Sequence, residues 1–156
     1  MIYRALFLSL LMPLNAFASE VITTFLLPRP NSFGKHLSVT YLQPFLKCLR
    51  YGATIGTLTE DAFTSNIAPY GELNVGVEVA STLGLYARVL TGASFFKPND
   101  HLMLNAKWFE ISTSVSAGIK EGPYMVGAQF KHFSNGTDSS TNTGMEYLGI
   151  EVGREF

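Results

Sequence analysis

Residues 147–156 read Tyr-Leu-Gly-Ile-Glu-Val-Gly-Arg-Glu-Phe. Leu148, Ile150, Val152, Arg154 and Phe156 fall on one parity, while Tyr147, Gly149, Glu151, Gly153 and Glu155 fall on the other. Successive side chains of an extended chain point to opposite faces, so a hydrophobic period of two marks a strand with one apolar face. The same split recurs upstream. Tyr124, Val126, Ala128 and Phe130 oppose Met125, Gly127, Gln129 and Lys131, and Phe109 to Ala117 alternates with Trp108 to Ser116. Leu83 to Val89, Leu73 to Val79 and Tyr51 to Ile55 behave alike, and weaker alternation runs through Glu20–Leu27 and His36–Leu46. Eight strands of ~11 residues each leave about 50 residues for their connections, which suits a small barrel.

Two closed architectures share this pattern and differ in which face looks inward. A soluble barrel would turn its apolar face in and carry a charged exterior. Here the second face is rich in Gly and Ser with a few charges of both signs, as a narrow lumen requires. Arg50, Arg88 and Lys131 are available there to neutralise Glu72, Glu78, Glu110 and Glu151, because a buried charge must be paired. Composition agrees: charged residues make up 15% of the 156-residue chain, against roughly 25% in soluble proteins. The expected fold is therefore all-β, an eight-stranded antiparallel transmembrane β-barrel of the bacterial outer membrane. The terminal Phe156 resembles the terminal aromatic of such barrels.

At the other end, Arg4 precedes an apolar run from Ala5 to Leu14, and the small-x-small triplet Ala16-Phe17-Ala18 follows it. The run is too short to span a bilayer and has the form of a secretory signal peptide. Residues 1–18 are expected to be removed, leaving 19–156 as the barrel in the outer membrane. A single cysteine, Cys48, excludes an internal disulfide, and a net charge of −1 argues against nucleic-acid binding. His36 and His101 have no partner at ligand spacing and are expected to face solvent or headgroups, with no metal or cofactor implied.

Connection lengths orient the barrel, since such proteins have short periplasmic turns and longer outer loops. Ala80–Thr82 and Ile119–Pro123 are short, whereas Thr59–Asn66, Phe95–Lys107 and Asn135–Met145 are long. The last long connection joins the two C-terminal strands at the extracellular surface, and Cys48 falls at a periplasmic turn. On that hairpin, His132, Ser134 and Glu146 continue the apolar parities of Phe130 and Leu148, so three polar side chains face lipid at the outer rim. An even register sets Glu146 opposite His132 or opposite Ser134. A Ser hydroxyl becomes a nucleophile when a neutral His takes its proton, and a carboxylate fixes the tautomer of that His. The same residues also suit a plain polar rim, where such side chains cost little.

The stretch His132-Phe-Ser-Asn-Gly136, with Asn142-Thr-Gly144 and Glu146 twelve positions after the serine, resembles the signature of the outer-membrane lipid A 3-O-deacylases, the PagL family. The resemblance implies a serine esterase with nucleophile Ser134, base His132, orienting acid Glu146 and oxyanion donor Asn135. Its expected substrate is lipid A of lipopolysaccharide in the outer leaflet, with a homodimer allowed. A non-catalytic structural or adhesive barrel and a phospholipid hydrolase are the alternatives.

Overall fold

A computed structural model describes residues 18–30, 32, 34–59, 67–97, 108–134 and 144–156. Its eight strands are β1 (Glu20–Pro28), β2 (Lys35–Pro44), β3 (Leu49–Thr59), β4 (Ile67–Ala80), β5 (Leu85–Phe96), β6 (Phe109–Glu121), β7 (Tyr124–Ser134) and β8 (Met145–Glu155). Each pairs antiparallel with the next, and β8 closes onto β1 through a ladder from Glu20–Glu155 to Pro28–Tyr147. Closure leaves no unpaired edge, the condition a sheet must meet to cross a bilayer. Residues 1–17 of the expected export segment 1–18 lie outside the described residues, as do His101 and most of the long connections.

The weak N-terminal alternation resolves at its prolines. Pro28 and Pro44 end β1 and β2, and Pro30 sits in the turn after β1, positions where a missing N–H costs no interior ladder bond. Strand boundaries otherwise lie beyond those expected at several ends. The connection between β6 and β7 shrinks to Gly122–Pro123, where Gly122 adopts φ 56°, and primed hairpin turns need a positive φ there. Leu83, expected in a strand, lies in the turn from Ala80 to Leu85, held by the Ser81 N–H to the Leu85 carbonyl at 2.8 Å.

The faces divide as the membrane reading requires. Ile55, Leu73, Val79, Val126, Ile150 and Val152 lie on the exterior, whereas Arg88, Glu20, Glu151, Glu72 and Lys131 lie inside. No soluble protein would leave such a band in water, because apolar burial is the main driving force for folding. Two layers fill the interior. Toward the end with the short turns, expected to face the periplasm, Arg88 bonds Glu20 (2.9 Å), Glu78 (3.1 Å) and Glu151 (2.6 Å), and Arg50 reaches Glu78 at 3.2 Å. Lys120 and Glu20, absent from the expected set of pairs, complete this layer: Lys120 Nζ lies 2.7–2.8 Å from Glu20, Glu78 and Glu155. Higher up, Lys131 pairs with Glu72 at 2.9 Å.

At the end with the long connections, expected to face outward, the lumen is plugged by Leu26, Leu58, Ala68, Tyr70, Phe96, Phe133, Met145 and Tyr147. His36 belongs to this plug, which corrects the expectation that it faces solvent. It is fully buried on the inward parity of β2, with Nε2 hydrogen-bonded to the Tyr70 hydroxyl.

Cys48 sits exposed in the turn between β2 and β3, at the end opposite the long connections. A membrane-impermeant maleimide should therefore leave it unlabelled in intact cells and label it after the outer membrane is permeabilised. Labelling of intact cells would invert the orientation.

Candidate active site

Where the long connection joins them, β7 and β8 alternate buried and outward side chains residue by residue. Phe133 points inward and packs edge-on against Tyr70, Phe96 and Tyr147, with ring centroids 5.5, 5.2 and 6.0 Å apart. Met145 and Tyr147 flank Glu146 and are likewise buried in the plug. Side chains of opposite parity must then point outward from a strand end held rigidly from within. His132, Ser134 and Glu146 are those side chains.

The register settles the open pairing: His132 stands directly opposite Glu146. Nδ1 of His132 lies 3.7 Å from Glu146 Oε1, with the two side chains 35% and 43% exposed. This exceeds a formed hydrogen bond of ~2.9 Å, and catalytic hydrogen bonds commonly tighten when substrate excludes water. The other edge of the ring faces Gly144, where an added Cβ would sit 2.5 Å from Cε1 and 3.0 Å from Nε2. Gly144 also has φ 62°, so both backbone and space favour glycine beside the imidazole. Ser134 follows two residues along the same face, roughly 6.8 Å on by strand rise, and pairs with Ile111 of β6. Asn135 lies outside the described residues.

Glu146 is also held by its backbone. Its carbonyl accepts the Arg29 N–H at 2.9 Å, and its own N–H donates to Ser32 Oγ at 2.6 Å. Sequence reasoning missed Arg29 and Ser32. The odd parity of β1 was readable, but the register that brings its end beside Glu146 was not.

One other acidic cluster exists among the described residues. Glu20, Glu78 and Glu155 converge at metal-ligating spacing, yet Lys120 Nζ lies among them and supplies the counter-charge.

A family model described as lipid A 3-O-deacylase (PagL) matches residues 51–155. The chain belongs to the PagL family. The match takes in most of β3 and all of β4 to β8, hence His132, Ser134 and Glu146, while β1 and β2 precede it. No curated protein matches this PagL chain in sequence. Among solved structures it is similar to the N-terminal β-barrel domain of Pseudomonas aeruginosa OprF, with TM-score 0.65 and 11% identity, over 89% of this chain and 97% of that one. It is also similar to the Yersinia pestis outer membrane protein Ail, determined in a phospholipid bilayer nanodisc, with TM-score 0.55 and 11% identity over 90% and 99%. At such identity the likeness concerns the fold, an eight-stranded outer-membrane barrel.

Proposed function

We propose that this protein is a serine esterase that removes the 3-linked hydroxyacyl chain of lipid A from the outer leaflet, using Ser134, His132 and Glu146. The observation that carries this reading is the direct pairing of His132 with Glu146 on the lipid-facing surface, with Ser134 on the same face. Ester linkages of outer-leaflet lipid lie just below the headgroups, at the depth of a strand's extracellular end.

Ser134 Oγ attacks the ester carbonyl as His132 Nε2 accepts its proton, and Glu146 steadies the imidazolium through Nδ1–H. The tetrahedral oxyanion accepts a hydrogen bond from Asn135. Collapse breaks the bond to the sugar oxygen, which takes the proton from His132 and leaves as a free 3-hydroxyl. Water, activated by the same His132, then hydrolyses the acyl-serine and releases a hydroxy fatty acid. In this reading residues 1–18 direct export and are cut after Ala18.

Mass spectra of lipids from Gram-negative cells with and without the protein test it. Lipid A should lose one hydroxyacyl group while glycerophospholipids keep their acyl chains. Cleaved phospholipid with intact lipid A would make it a phospholipid hydrolase, and no change in either would leave a non-catalytic barrel.

A further inference from the structure

The lipid-facing surface carries one continuous run of polar side chains across five adjacent strands. The ladders set Thr91 opposite Thr113, Thr113 opposite His132, and His132 opposite Glu146. Beyond the last β1–β8 pair, Pro28 with Tyr147, the next residue is Arg29, whose N–H binds the Glu146 carbonyl. Apolar Val75 ends the run beyond Thr91. The run is oblique to the membrane. Thr91 lies in the middle of β5, Thr113 is nearer the extracellular end of β6, His132 and Glu146 are nearer still on β7 and β8, and Arg29 lies just past the end of β1.

The members of this run differ in how their polarity is satisfied. Thr91 donates its hydroxyl to the Ser112 carbonyl at 3.1 Å, and His132 and Glu146 face each other. Arg29 is exposed, continues the outward parity of Phe25 and Leu27, and has no side-chain ion pair among the described residues, although Glu146 is its cross-strand neighbour. A guanidinium keeps its charge at any physiological pH and matches a phosphate in a bidentate, planar fashion. Strands lie ~4.8 Å apart, so the Arg29 backbone is about 10 Å from that of His132, within reach of a headgroup whose ester rests on Ser134.

We infer that Arg29 binds a phosphate of the lipid A headgroup and so fixes which phosphorylated glycolipids present their ester to Ser134. The inference rests on the lipid A reading above and adds a specificity-determining contact just past β1's outer end, upstream of the segment shared with the family model. A phosphate held at the top of the oblique run leaves the acyl chains to descend along the apolar surface, with the ester between the two.

Purified wild-type protein, Arg29→Ala and Arg29→Lys in detergent micelles would be assayed on bisphosphorylated lipid A and on the same lipid A stripped of phosphate. Heat-modifiable migration on gels would verify folding of each. The wild type should favour the phosphorylated substrate by about tenfold in kcat/KM, the size of one charge-assisted contact. Arg29→Ala should raise KM for that substrate about tenfold with kcat unchanged, and match the wild type on the stripped one. Arg29→Lys should fall between. Equal slowing of both substrates by Arg29→Ala would mean that Arg29 acts through Glu146 and would overturn the inference, as would a wild type indifferent to phosphate. In that last case, wild-type deacylation of both substrates would leave the lipid A reading standing; a wild type inert on both would remove reading and inference together.

Discussion

Ser134→Ala will lower lipid A deacylation by at least ~10³-fold, and His132→Ala will do the same, because in the proposed mechanism each removes a group that acts in forming the acyl-enzyme. The two losses should not multiply: the double variant should be no slower than either single one, since a nucleophile without its base and a base without its nucleophile are equally idle. Glu146→Ala should be milder, by about 10²-fold. His132 remains present there, and the 3.7 Å separation and partial exposure of the pair leave water free to replace some of the carboxylate's hold. All three side chains point away from the plug, so each variant should keep the heat-modifiable migration of a folded barrel. Val75→Ala, a lipid-facing change on β4, is the control and should leave turnover near normal. A folded Ser134→Ala protein that retains a tenth of normal activity would end its assignment as nucleophile and return the site to an ordinary polar rim.

How much of this was legible beforehand follows from what each observation depends on. Parity along a strand is a local property, so the outward direction of His132, Ser134 and Glu146 could be read without knowing any partner strand. Register between strands is not local. The even spacing allowed Glu146 to face His132 or Ser134, and only the ladder decides for His132. His36 went astray for a related reason: its position near a loop suggested exposure, while its parity, shared with Ser38 and Thr40, carried it inside. Glu20 and Lys120 were overlooked as partners because they lie on strands that are far apart in sequence and face each other only across the closed lumen. Gly144, by contrast, stood in the quoted signature, but its role against the imidazole ring needs three dimensions to be seen.

The interior ion layer supplies the second large effect, and it concerns stability instead of chemistry. Arg88→Leu should cost at least about 3–5 kcal/mol, the usual penalty for deleting one member of a buried ion pair. Arg88 is buried and bonds three carboxylates, Glu20, Glu78 and Glu151, so among the described residues its loss leaves only Arg50 and Lys120 to balance these acids and Glu155. Against a total stability of roughly 5–15 kcal/mol, that is a large fraction. Urea titration in detergent, followed by the heat-modifiable shift, should show a midpoint far below that of the wild type. Glu151→Gln added to Arg88→Leu should recover part of the loss. The amide removes one uncompensated charge; its oxygen can still accept the Tyr86 hydroxyl, which now donates to Oε1 at 2.6 Å, while its NH2 replaces the Oε2 that accepts from Ser116 at 3.0 Å and can donate to that hydroxyl instead. Recovery by the double variant separates a charge effect from a packing effect, since replacing Glu151 restores none of the volume lost at Arg88. If Arg88→Leu instead unfolds at the wild-type midpoint, the layer is not held by its charges, and the barrel's stability must be sought in its ladders and the aromatic plug above.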